Sequence, residues 1–155
     1  MTLNLSYQTK LNRATLDTLP EIYNHFYNCR EWFPHIRKDY VERNILANKV
    51  IYDKGIIIIF NQYQRRQKIG TVEAQRGDHI LHQILNSDRD SGTNYASAVL
   101  QQFCVECSSD VYLSVRADNI RATKFYSKNG FKLVGTTSWM NGSLPGLVFL
   151  HSLEK

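Results

Sequence analysis

The segment from Asn119 to Phe131, Asn-Ile-Arg-Ala-Thr-Lys-Phe-Tyr-Ser-Lys-Asn-Gly-Phe, constrains the fold more than any other stretch of this 155-residue chain. Before it, Val111 to Val115 is a β-branched and aromatic run that reads as a buried strand, and after it Phe131 to Val134 begins another. Between them Asp118 or Asn119 can cap a helix, and Asn129-Gly130 supplies the left-handed residue that ends one. The unit is therefore strand, helix, strand, with Ala122, Phe125 and Tyr126 on one side at helical spacing. Read from spacing alone, that side is plain core, with Tyr126 burying its ring and finding one partner for its hydroxyl.

The same segment resembles the signature Asn-x-x-Ala-x-x-Phe/Leu-Tyr-x-x-x-Gly-Phe of the GCN5-related N-acetyltransferases (GNAT), and every defined position is filled. The resemblance implies an acyl-coenzyme A dependent enzyme with acetyl-CoA as donor substrate. Asn119 would contact the coenzyme, and Tyr126 would protonate the departing thiolate. A phenol suits that role because it is neutral at working pH and can donate as charge builds on sulfur.

The family's upstream loop, Arg/Gln-x-x-Gly-x-Gly/Ala, corresponds to Arg89-Asp90-Ser91-Gly92-Thr93-Asn94. Arg89 and Gly92 match, while Asn94 stands where a small residue is usual. The resemblance makes Arg89, Gly92, Thr93, Asn94 and Tyr95 the coenzyme's phosphate cradle, since backbone N–H groups at a helix start attract a pyrophosphate. Taken alone, Ser-Gly-Thr-Asn is a polar turn. The helix after it is legible without the family: Tyr95, Val99, Leu100, Phe103 and Cys107 recur at three- and four-residue steps.

Before the loop, His79 to Leu85 reads as a strand entered through the turn Arg76-Gly77-Asp78. Alternation puts Asp78, Ile80, His82 and Ile84 on one face. In the family this strand splays from its neighbour and its backbone, here at Ile84, binds the pantetheine arm. Residues upstream on it often serve as general base. His82 is the first candidate, because imidazole titrates near neutrality, and Asp78 the weaker one. Glu73, on a preceding strand from Lys68 to Ala74, competes if partial burial raises its carboxyl. A single strand histidine is also commonly a hydrogen-bonded bystander.

Composition fits one domain over residues 1–155, large enough for a two-layer core: 43% of residues are hydrophobic and 21% charged. The longest aliphatic run, Ile56 to Phe60, is strand-sized, and Met1 to Tyr7 lacks the features of a secretory signal. Cytoplasmic residence without a membrane partner is expected. Three cysteines make an odd set with no framework spacing, and Cys104 and Cys107 fall inside the predicted helix, where they read as small apolar residues. No metal is implied. Nineteen Lys plus Arg against fourteen Asp plus Glu leave a net charge of +5, which suits a polyanionic coenzyme. The one basic cluster, Arg65-Arg66-Gln67-Lys68, reads as a hairpin tip, and a nucleic-acid surface would need a broader stripe.

The remaining elements complete the order. Leu3 to Tyr7 reads as an opening strand. Thr18-Leu19-Pro20-Glu21 reads as a capping box leading into a helix through Ile22, Tyr23, Phe26 and Tyr27. Asn28 to Phe33 breaks that helix, and Pro34 starts a second one carrying Ile36, Tyr40 and Ile45. The connection holds Trp32 and Phe33, which either line an acceptor pocket or staple the helix to the core. Val50 to Tyr52 and Gly55 to Phe60 read as strand, and Phe131 to Met140 and Leu147 to Leu153 as a final pair. The loop joining that pair, Asn141 to Gly146, reads as a turn or a lid.

Strand, two helices, three strands, helix, strand, helix and two strands give an α+β chain. Its order resembles the GNAT acyl-CoA N-acyltransferase fold, a twisted mixed sheet of six to seven strands with about four helices. The function expected is transfer of acetyl to a primary amine, carried by a small molecule or a peptide, by direct attack in a ternary complex. A homodimer is left open. Two other readings share the fold: a non-catalytic coenzyme A sensor or adaptor, and a transferase acting on nucleic acid.

Overall fold

Ile56 to Phe60 are all buried, between 0% and 9% exposed, so the strand that holds them is covered on both faces. This is β2 (Ile56–Gln62), which pairs antiparallel with β1 (Val50–Asp53) through Val50↔Ile59 to Asp53↔Ile56. The computed structural model describes residues 10–87 and 95–153. Along these the order is α1 (Leu19–Asn28), α2 (Lys38–Leu46), β1, β2, β3 (Gln67–Ile69), β4 (Val72–Ala74), β5 (His79–Asn86), α3 (Ala96–Cys107), β6 (Val111–Arg116), α4 (Ile120–Lys128), β7 (Lys132–Trp139) and β8 (Leu144–His151). One mixed sheet runs β1-β2-β5-β6-β8-β7, and β3-β4 form a separate two-stranded sheet. The chain is thus α+β, with a six-stranded sheet and four helices.

Two compact units divide it, one of Met1–Phe60 with Gln83–Gln102 and one of Asn61–His82 with Phe103–Lys155. In the first, Ile22 and Phe26 of α1 and Val41 and Ile45 of α2 pack with Val50, Ile57, Ile59 and Leu85. The apolar residues at three- and four-residue steps on each helix are what make this face continuous. In the second unit, β6 pairs parallel with β5 and antiparallel with β8, and β8 pairs antiparallel with β7. One face of this sheet, with Ile80, Tyr112 and Val148, buries Ile69 and Ala74 of the β3–β4 hairpin. The other face, through Phe149, meets α4, whose Tyr126 ring lies 6.3 Å from that of Phe149.

Several expected boundaries differ. Leu3 to Tyr7 lies outside the described residues. Thr18 makes no side-chain cap to α1; its hydroxyl instead donates to the Thr15 carbonyl at 2.7 Å and accepts the Thr15 amide at 3.2 Å. The local 3-10 turn Leu16–Thr18 wins that hydroxyl before the helix can. The second helix starts at Lys38, four residues after Pro34, because residues 29–36 continue in tight turns closed by Phe33 N–H to Cys29 O and Ile36 N–H to Phe33 O. The expected strand from Lys68 to Ala74 is two short ones folded about Gly70-Thr71, where Gly70 takes φ +59°. The final turn is shorter than expected, since Leu144, Pro145 and Gly146 already belong to β8.

Candidate functional site

Helix α4 carries the two residues singled out first. Asn119 is its N-cap, and its side-chain oxygen accepts the Ala122 amide at 3.2 Å. That bond satisfies one of the helix's orphan donors and commits the oxygen, leaving the amide nitrogen as the group able to reach a ligand. Two turns on, Tyr126 is 7% exposed, its ring 5.6 Å from Phe125, 5.8 Å from Phe131 and 6.3 Å from Phe149. Burial pushes its phenol well above the ordinary tyrosine range, so the hydroxyl keeps its proton. Gly130, at φ +88°, ends the helix and turns Phe131 back under it.

The start of strand β5, as far as His82, belongs to the same unit. Its parallel ladder with β6 covers His79↔Val111, Ile80↔Tyr112 and Leu81↔Leu113, and His82, the next residue, is outside it. By alternation His82 shares the face of Ile80 and Tyr112, opposite the face that carries α4. His82 is exposed. Thus the proposed base and the proposed acid stand on opposite faces of the sheet, where the ladder stops.

Glu73 lies on β4, the strand directly before β5. It sits on the small β3–β4 hairpin, where its neighbours Val72 and Ala74 turn toward the sheet and Glu73 turns outward. There its carboxylate pairs with Arg66 at 3.2 Å, with 43% of the side chain exposed.

The first unit holds the remaining described candidates. Ile84, on β5, is half-buried. Next to it, Gln83 Oε1 accepts the Tyr40 hydroxyl of α2 at 2.9 Å, a bond between residues 43 apart. Phe33 packs edge-on to Phe26, 5.1 Å between centroids at 83°, so its ring acts as a staple to the core. Trp32 is 37% exposed. Tyr95 precedes α3 and lies under the Lys54 ammonium at 5.4 Å. Arg89, Gly92, Thr93 and Asn94 lie outside the described residues.

Sequence reasoning missed one feature of the second unit. A cavity of about 700 Å³ is bounded by the tip of the β3–β4 hairpin and by β7 and β8, with Thr71, Ala117, Thr137 and Gly146 among its walls. No motif marks it, because its walls are uncharged residues brought together from segments up to 77 positions apart, Gly70 to Leu147. Among the described residues, no cluster of His, Cys, Asp or Glu could hold a metal ion, and no helix is long and apolar enough to cross a membrane. Cys104 is buried in α3 and burial pushes its thiol up to about 12, which leaves it unreactive.

No protein-family model and no curated protein matches the chain. Solved structures do. An acetyltransferase of the GNAT family from Streptococcus agalactiae superposes with a TM-score of 0.76, at 14% identity, covering 98% of this chain and 100% of that one. The ribosomal-protein-S18-alanine N-acetyltransferase from Escherichia coli gives 0.63 at 14% identity, covering 94% of each chain. NAA60 from Arabidopsis thaliana, in complex with a bisubstrate analogue, gives 0.66 at 12% identity, covering 92% of this chain and 97% of that one. The chain has the GNAT acetyltransferase fold.

Proposed function

We propose that this protein is an acyl-coenzyme A dependent N-acyltransferase that moves acetyl from acetyl-CoA to a primary amine of a peptide or small molecule. The observation that carries this reading is the pairing of two features in one unit. A phenol held neutral on α4 sits on one side of the sheet, and the β5–β6 ladder stops after Leu81↔Leu113. From Ser114 onward β6 keeps β8 as partner, and its β5 side is where an extended thioester arm would find main-chain groups. On this reading the Asn119 amide nitrogen, left over from the cap, holds the same arm from the start of α4.

The chemistry follows from those positions. An amine nitrogen attacks the thioester carbonyl carbon and the carbon–sulfur bond breaks. His82 takes the proton lost from nitrogen, directly or through a water, and Tyr126 gives its proton to the thiolate. Holding both reactants together supplies much of the rate by removing the entropy of encounter. His82 is preferred to Glu73 as base, because Glu73 faces away from the sheet and is already paired with Arg66.

Two measurements test the reading. Adding acetyl-CoA in large excess raises the melting temperature, since a ligand that binds only the native state stabilises it. Tyr126→Phe lowers turnover by about a hundredfold with little change in coenzyme affinity. An unchanged melting temperature removes the coenzyme, and unchanged turnover removes Tyr126 from the reaction.

A further inference from the structure

The face of the second unit's sheet that carries His82 holds two further side chains that the transfer step does not use. On β6, Tyr112 packs with Val148 and the hairpin, and alternation puts Ser114 and Arg116 on the same face. Arg116 stands opposite Gly146 on β8, and Gly146 stands opposite Thr137 on β7. Trp139, two residues past Thr137, belongs to that face as well. The surroundings of Gly146 agree: a Cβ there would stand 2.7 Å from Trp139 Cη2 and 3.0 Å from Thr137 Cγ2. The six-membered ring of the indole therefore covers the bare backbone of Gly146, and Trp139 remains 37% exposed.

These groups lie within reach of His82. His82 is one residue past the last β5–β6 pair, Leu81↔Leu113, and Arg116 is three past it on the neighbouring strand. Two residues along and one strand across put their Cα atoms at least about 8 Å apart, a span that two long side chains rising from one face can close. Gly146 lies one strand beyond Arg116, about 5 Å further. Arg116 is held in place, since its Nε and Nη2 donate to the two Asp118 oxygens at 3.0 and 2.8 Å, with 32% of the side chain exposed. A guanidinium presents two edges that each fit a carboxylate, and Asp118 lies on the Nε–Nη2 edge. A plain amine or polyamine brings only more positive charge to Arg116, whereas an amino acid brings a carboxylate that matches it. An aromatic side chain then has the exposed indole to pack on.

We infer that the acceptor is an α-amino acid with an aromatic side chain, its amine toward His82, its carboxylate on Arg116 and its ring against Trp139. That this is the acceptor's site rests on the transferase reading; recognition of the amino acid does not. Arg116 and Trp139 set binding and specificity and take no part in bond making.

Calorimetric titration of the full chain, without coenzyme and with saturating coenzyme A, tests this. L-phenylalanine binds, and L-phenylalaninamide, which keeps the amine and the ring but lacks the carboxylate, binds about tenfold more weakly. Arg116→Gln levels the two ligands. Trp139→Leu removes an advantage of about fivefold that L-phenylalanine holds over L-alanine, and Trp139→Phe, which keeps a ring, retains it. With acetyl-CoA present, kcat/KM follows the same ranking. Equal affinity for L-phenylalanine and its amide, or no binding of either under both conditions, overturns the proposal. Acetyl transfer to amines with no preference for a carboxylate also overturns it and leaves the transferase standing. Arg116-dependent binding of L-phenylalanine by a protein that transfers no acetyl overturns the transferase reading and leaves the amino-acid site.

Discussion

Thr136 and Thr71 are joined by two hydrogen bonds, amide to side-chain oxygen at 3.0 Å and amide to carbonyl at 2.9 Å, across 65 residues of chain. This clasp fastens the tip of a small hairpin to the edge of the main sheet. It depends on how closely the hairpin can approach.

That approach rests on Gly70. It takes φ +59°, and a Cβ there would stand 2.0 Å from the Thr136 carbonyl oxygen, a backbone atom that cannot swing aside. Gly70→Ala therefore combines a left-handed penalty with overpacking and costs about 2–4 kcal/mol. Urea unfolding measures the loss, and hydrogen exchange at Ile69 to Ala74 reports whether the hairpin opens before the rest.

Asn119 caps α4, and substitution can separate that from the coenzyme contact proposed for it. Asn119→Ala removes the cap of α4 and costs about 1 kcal/mol of stability. Asn119→Asp keeps an oxygen for the Ala122 amide and adds a charge favoured at a helix N-terminus, so stability holds. It also replaces the amide donor by an acceptor, so acetyl-CoA affinity falls. Thermal melting with and without acetyl-CoA reads both effects.

The choice of base is decided by comparing two isosteric changes. His82→Gln lowers kcat/KM at neutral pH by about a hundredfold, and Glu73→Gln leaves it within about twofold. The reverse ranking would move the base to the hairpin. Arg66→Ala, which releases Glu73, changes stability by less than about 1 kcal/mol, as expected for an exposed pair.

Alkaline pH should weaken the fold through its tyrosines. Burial raises the phenols of Tyr40, Tyr112 and Tyr126, and pushes those of Tyr52 and Tyr63 up to about 12. Tyr52 is raised further by its bond to Glu21. In the unfolded chain the same groups titrate near 10. Above that value the unfolded state binds fewer protons than the native one, so stability falls with rising pH. The stabilisation is complete below about pH 10 and is lost between about 10 and 12 and beyond. Melting curves across that window show the slope, and Tyr126→Phe makes it shallower.

Local physics made most of the second unit readable. Asn119, Asn129 and Gly130 punctuate α4 within the sequence itself, and Ala122, Phe125 and Tyr126 mark its inner side, so the strand–helix–strand unit was legible from its own residues. The run Ile56 to Phe60 likewise announced a strand. Thr18 misled because its hydroxyl had two local claimants, and propensity does not say which wins. Pro34 misled because turns can continue past a proline, and only the packing of Phe33 on Phe26 sets where the next helix begins.

By itself the sequence determined the helices and strands whose signals are carried by neighbours in the chain, and, through the Asn119 to Phe131 signature, the donor that the site is proposed to take. Tertiary structure decided what depends on distant partners. It put His82 at the end of a ladder and Glu73 on an outward face beside Arg66, and it closed the Thr71–Thr136 clasp. Capping and periodicity act over a few residues and so leave a trace in the sequence. Strand order joins residues as distant as His79 and Val111, and the close approach of Gly70 to Thr136 joins segments more than sixty residues apart, and no local pattern records them.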